Sequence, residues 1–193
     1  MVANTSWLPH PDTVYALGRA AFPTARARRG HPRFTFICDN GKRVGMYDDN
    51  TTPRWAILGA HGIRNWRDRK GWAFAHVWPS PASDNINSFS HLANLVMIPE
   101  CFASLTDKNC LLTGYLRWHA KTVYGWKPDD EEPQMPVGPG PSPFRTMPFL
   151  PPRAPRIPCH TLSDKGQKPG GRELAARANR CRQLDIQAVR DQW

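Results

Sequence analysis

Twelve of the twenty prolines in this 193-residue chain fall between positions 127 and 171, and that clustering divides the sequence. Proline fixes φ at about −65° and offers no backbone N–H, so it fits neither a helix interior nor a central strand. The stretch PQMPVGPGPSPFRTMPFLPPRAPRIP shows no helical or strand periodicity and is predicted to be an extended, semi-rigid tether. A packed domain is therefore expected over 1–126 and a proline-rich linker over 127–171. A basic amphipathic C-terminal helix is expected over 172–193, where Leu174, Ala178, Cys181, Leu184 and Ala188 recur at spacings of three or four. The proline-rich run, as a PxxP-type ligand, or the terminal helix offers a docking point for a protein partner.

Lys and Arg number 26 against 16 Asp and Glu, a formal charge of +10 that favours a polyanionic partner. Charge alone does not separate nucleic acid from an anionic membrane. The opening MVANTSWLPHPD lacks a basic start followed by an apolar run, and no apolar stretch approaches the roughly 18 residues a membrane span requires. A cytoplasmic protein with no membrane partner is expected, or a nuclear one in a eukaryotic host. The five cysteines are scattered and form no CxxC pair, which argues against a zinc ribbon and a disulfide scaffold. Cys101 follows an apolar run and is read as core.

Aromatic and β-branched residues concentrate in 10–126, and the patterns there predict a small mixed α+β domain. DTVYALGRAAF at 12–22 reads as a helix opened by Asp12, and the basic run at 24–33 as a loop. RFTFICDNGKRVGMYDD reads as a hairpin turned at AsnGly. WAILGAH from Trp55 reads as a short strand. The acidic YDDN at 47–50 is expected as a turn rather than a metal site. GWAFAHVW at 71–78 reads as a strand with His76 at its end, PSPASDNINS as a loop, HLANLVMIP as a second strand closed by Pro99, and PECFASLTD as a helix start.

The segment from Trp72 to Asp107 resembles the HNH, or ββα-metal, endonuclease superfamily in the branch carrying an AHI motif. The resemblance rests on AHVWP at 75–79, NLVMIP at 94–99 and LTD at 105–107, about 36 residues in all. It implies an α+β domain built around a ββα-metal unit and a metal-dependent endonuclease acting on DNA. His76 would be the general base, Asn94 would order the loop that orients it, and Asp107, thirteen residues after Asn94, is the first choice of ligand for Mg, Mn or Zn, with His91 a replacement for a missing one. These types suit the chemistry. A histidine titrates near neutral pH and can activate water, and a divalent cation offsets charge on the scissile phosphate.

The sequence also departs from the family. Ala75 stands where an acidic or histidine ligand is common, and Ala103 where a His or Asn is common. Asp107, His91, Asp84 and His119 are the available replacements, while each also has a structural role open to it, Asp107 as a helix cap among them. In HGIRNWRDRKGW, Arg64, Arg67, Arg69 and Lys70 are placed to hold nucleic-acid phosphates, and Arg28 and Arg29 in the upstream basic run would add to that field. The alternative is a non-catalytic nucleic-acid-binding protein on the same scaffold.

Overall fold

The computed structural model describes residues 5–63, 70–79, 82–108, 110–138 and 144–147. The expected helix at 172–193 and the linker beyond 147 lie outside the described residues, as do Arg64, Arg67 and Arg69. Among the described residues the chain is a mixed α+β domain with two sheets. In order, the elements are β1 (Trp7–Leu8), α1 (Pro11–Leu17), β2 (Thr24–Arg26), β3 (Phe36–Asp39), β4 (Lys42–Asp48), α2 (Thr51–Ala60), β5 (Trp72–His76), β6 (Leu95–Pro99), α3 (Leu111–Tyr124) and β7 (Arg145–Thr146). One sheet has the order β5-β6-β1-β7, the other β2-β4-β3. No helix among the described residues is long and apolar enough to cross a membrane.

The β3–β4 hairpin forms where AsnGly predicts it. Asn40 and Gly41 have φ of 48° and 74°, the positive values a tight hairpin turn needs, and Asp39 faces Lys42 across it. The basic run expected as a loop instead begins with β2, which pairs in parallel with β4 through Thr24↔Met46, Ala25↔Tyr47 and Arg26↔Asp48. A three-residue strand whose partner residues lie 22 positions away has no local periodicity to betray it. The cap of α1 is His10, whose Nδ1 accepts the Asp12 N–H at 3.2 Å, with Pro11 at the first helical position and Gly18 ending the helix at φ 62°.

WAILGAH is helical, not a strand: α2 buries Thr52, Pro53, Ala56, Ile57, Leu58 and Ala60. So short an apolar run fits either state, and a tertiary cap decides it. Asp48 Oδ2 accepts from the backbone N and Oγ1 of Thr52 at 2.6 and 2.7 Å, satisfying donors of the first turn. Asp49 accepts from Thr51 Oγ1 and pairs with Arg33, so the YDDN carboxylates serve the turn and helix start.

The core is centred on β6, whose Leu95, Val96, Met97 and Ile98 are all buried between β5 and β1. A central strand covered on both faces reads as a continuous apolar run, as this one does. Beyond it the chain enters a 3-10 turn, Glu100–Leu105, and the α-helix starts only at Leu111. Cys101, expected in the core, is exposed on that turn, because the buried run ends at Ile98.

The described part of the proline-rich segment lies on the domain. Phe144 is buried in the core, β7 pairs in parallel with β1, and the Met147 N–H donates to the Leu8 carbonyl at 3.1 Å. Tyr115 donates to the Gly138 carbonyl at 3.1 Å, and Glu132 pairs with Lys121 and Lys127. Pro133 is buried and Pro136 packs over Gly114, so this PxxP turns its prolines toward its own domain.

Candidate functional site

The antiparallel pair β5–β6 brings His76 and Asn94 to one end of the sheet. The register runs from Trp72↔Pro99 to His76↔Leu95, and the Val77 N–H continues it by donating to the Asn94 carbonyl at 2.9 Å. Asn94, fully buried, uses its side chain on the connection between the strands. Oδ1 accepts the Trp78 N–H at 2.8 Å, and Nδ2 donates to the carbonyls of Ser88 at 3.0 Å and Trp78 at 3.5 Å. Both amide hydrogens and the oxygen are thus engaged, which is what a buried asparagine requires.

His76 is held by the same loop. Its Nε2 lies 2.9 Å from the Phe89 carbonyl, and its ring stacks on Phe89 with centroids 5.2 Å apart. A carbonyl only accepts, so Nε2 carries the proton and Nδ1 presents the lone pair. Burial pushes the imidazole down to about 4; the Phe89 carbonyl opposes this, and the Arg26 guanidinium adds to the lowering. His76 is therefore a neutral base at pH 7 with its tautomer fixed.

Segment 20–28 closes over the loop. Ser90 Oγ accepts the Phe22 N–H at 2.8 Å and donates to the Phe22 carbonyl at 2.7 Å, and the Ala21 N–H donates to the Ser90 carbonyl at 3.2 Å. Arg28 pairs with Asp84 at 2.6 Å. Arg26 sits between these ties and is half-buried. Sequence patterning treats it as one cation in a basic run, and only its strand pairing singles it out. Nothing in the loop sequence distinguishes Ser90 from its neighbouring serines. Arg29 is exposed beside Gly30 in the following turn, and Lys70 is exposed before β5.

Of the expected metal ligands, His91 is buried and Asp107 is exposed. His91 caps the 3-10 turn Leu92–Asn94 through Nδ1, which accepts the Ala93 N–H at 3.2 Å, and its ring stacks on Trp126 at 4.5 Å. Burial pushes it down to about 4. Asp107 is exposed in the turn after Glu100–Leu105. It does not cap α3, whose N-cap is Cys110 in a capping box with Thr113. Asp84 is engaged by Arg28. His119 packs edge-on against Tyr124 and Phe144, and its Nε2 is buried without a hydrogen bond. Among the described residues no group of three His, Cys, Asp or Glu side chains converges as a metal site.

Compared with known proteins, the chain matches no family model, no curated protein and no solved structure at a significant level.

Proposed function

We propose that the chain is an HNH-like endonuclease hydrolysing DNA phosphodiester bonds, with the β5–β6 pair as its frame, His76 as general base and Asn94 as positioning residue. The observation that carries this is the pairing of two bonds: Nε2 of His76 donates to the Phe89 carbonyl, and Asn94 fastens the loop bearing that carbonyl at Ser88. An imidazole so held offers Nδ1 in one tautomer and one orientation, which proton abstraction in a transition state rewards. Water would lose a proton to Nδ1 as its oxygen bonds to phosphorus, and the bond from phosphorus to the leaving oxygen would break with its electron pair on that oxygen. An imidazole at about 4 is a weak base in the free protein; an anionic phosphate beside it raises that value toward neutral pH.

Dependence on Mg, Mn or Zn is part of the proposal through the resemblance. Magnesium is commonly held by one or two carboxylates with the remaining ligands from water and substrate phosphates, so a full protein cage is not required. The test is cleavage of plasmid DNA with each metal and with chelator. Absence of cleavage under every condition, or cleavage undiminished in His76→Ala, overturns the enzyme reading. The second reading, a non-catalytic DNA-binding protein, is favoured by Ala75 and Ala103 at ligand positions and by the structural engagement of His91. It requires salt-sensitive binding that survives His76→Ala.

A further inference from the structure

We propose that Arg26 holds a phosphate oxygen of the nucleic-acid backbone beside His76. The inference rests on the phosphodiester reading of the His76 site and adds the group that would receive the substrate's charge. Three observations carry it.

Arg26 is placed by the fold rather than left to solvent. Its backbone is in β2, hydrogen-bonded to β4, and the segment around it is tied to the His76 loop on both sides, at Phe22–Ser90 and at Arg28–Asp84. It is also half-buried. Arg28 has Asp84 and Arg33 has Asp49, but among the described residues no carboxylate pairs with Arg26. Its cross-strand neighbour Asp48 gives Oδ2 to Thr52 and leaves Oδ1 without a hydrogen bond. A half-buried arginine that no described carboxylate pairs with gains from an anion, and its planar fork suits phosphate oxygens. Finally, its charge is felt at the His76 imidazole. A phosphate bridging the two would neutralise that charge where a proton is to be accepted.

The experiment follows the His76 ring resonances by NMR during titration with inorganic phosphate, with chloride at matched ionic strength as control. Affinity for a short DNA duplex is measured in parallel for wild type, Arg26→Met, Arg26→Lys and Lys42→Met. Lys42, exposed at the hairpin, controls for loss of one positive charge. Phosphate is expected to shift His76 in the wild type and chloride is not. Arg26→Met should weaken both phosphate and duplex binding about tenfold, as loss of a charge-assisted bond does, while Arg26→Lys loses less and Lys42→Met changes phosphate binding little. Arg26→Met binding duplex like the wild type, even with phosphate binding lost, overturns the proposal. So does a wild-type His76 signal that ignores phosphate, which needs no variant to fold. Duplex binding lost in Arg26→Met, with plasmid left uncut by the wild type, would remove the nuclease reading and keep this one.

Discussion

The side-chain oxygen of Asn94 accepts the Trp78 backbone N–H at 2.8 Å while its amide nitrogen donates to the Ser88 carbonyl, so one residue fastens both ends of the chain linking β5 and β6. Replacement by alanine strands a buried donor and a buried acceptor. Asn94→Ala is expected to cost about 2–4 kcal/mol in urea unfolding. Asn94→Asp keeps the acceptor but sets a carboxylate against two carbonyls, and should be at least as costly. A loss under 1 kcal/mol for both, on the order of a surface substitution, would show the loop to be held by other contacts.

His76 separates positioning from chemistry. Glutamine can place an N–H near Nε2 and keep the bond to the Phe89 carbonyl, yet offers no basic nitrogen. His76→Gln should retain more stability than His76→Ala and lower cleavage by about 10²–10⁴-fold. In the wild type, kcat/KM should hold through mildly acidic pH and fall only as pH drops toward about 4 in the free enzyme. An acid limb at the ordinary histidine value would contradict the buried, carbonyl-bound imidazole.

How much of this was legible depended on whether the deciding interaction was local. AsnGly marks its hairpin, the alternating run ending at His76 marks β5, and Leu95 to Ile98 mark a buried strand, because turn chemistry and patterning act within a few residues. The helix at Trp55 was hidden because Asp48 caps it through a tertiary bond to Thr52, and β2 because its partner β4 lies across a hairpin. At the candidate site, His76 and Asn94 are singled out by the resemblance alone. The bonds that hold them run to the carbonyls of Phe89 and Ser88, groups every residue possesses and no sequence flags. The same holds for Arg26, which no carboxylate pairs with among the described residues, a matter of packing that sequence does not flag.

Stability should fall as the protein is acidified from about pH 6.5 to 4. His76 and His91 are both pushed down to about 4 by burial, so between the unfolded and folded values the unfolded chain binds protons that the folded one excludes. The contribution is fully present above 6.5, declines as pH falls through the window, and is flat below 4. Each such histidine adds up to about 1.4 kcal/mol per pH unit inside the window. Urea midpoints measured across this range, with His91→Gln flattening the slope by one proton, check it; a pH-independent midpoint would refute it.

Gly45 is held by close approach rather than by its dihedral angles. A Cβ there would lie 2.6 Å from the Pro23 carbonyl oxygen and 3.0 Å from Ile86 Cγ2, where β4 meets the chain entering β2. The first contact is with backbone and cannot be relieved by a rotamer change. Gly45→Ala is expected to destabilise by about 1–3 kcal/mol, the range for overpacking. Gly59→Ala, with open space at its Cβ, should be neutral or stabilising by comparison of melting temperatures.

Phe144 anchors the chain beyond α3. It is buried, its ring meets that of His119 at 5.3 Å between centroids, and it precedes the two residues that pair with β1. Removing the ring deletes one of the larger apolar groups in the core, a change worth about 3 kcal/mol. Because the segment is otherwise held by a few hydrogen bonds and the Glu132 pairs, the loss should appear first as local release. Limited proteolysis of Phe144→Ala should cut within 127–147 well before the wild type does, with the remaining domain resistant. Truncation after residue 126 should lower the melting temperature in the same direction, since it uncovers β1 and His119. Equal protease resistance in wild type and Phe144→Ala would mean that the anchor lies elsewhere in the segment.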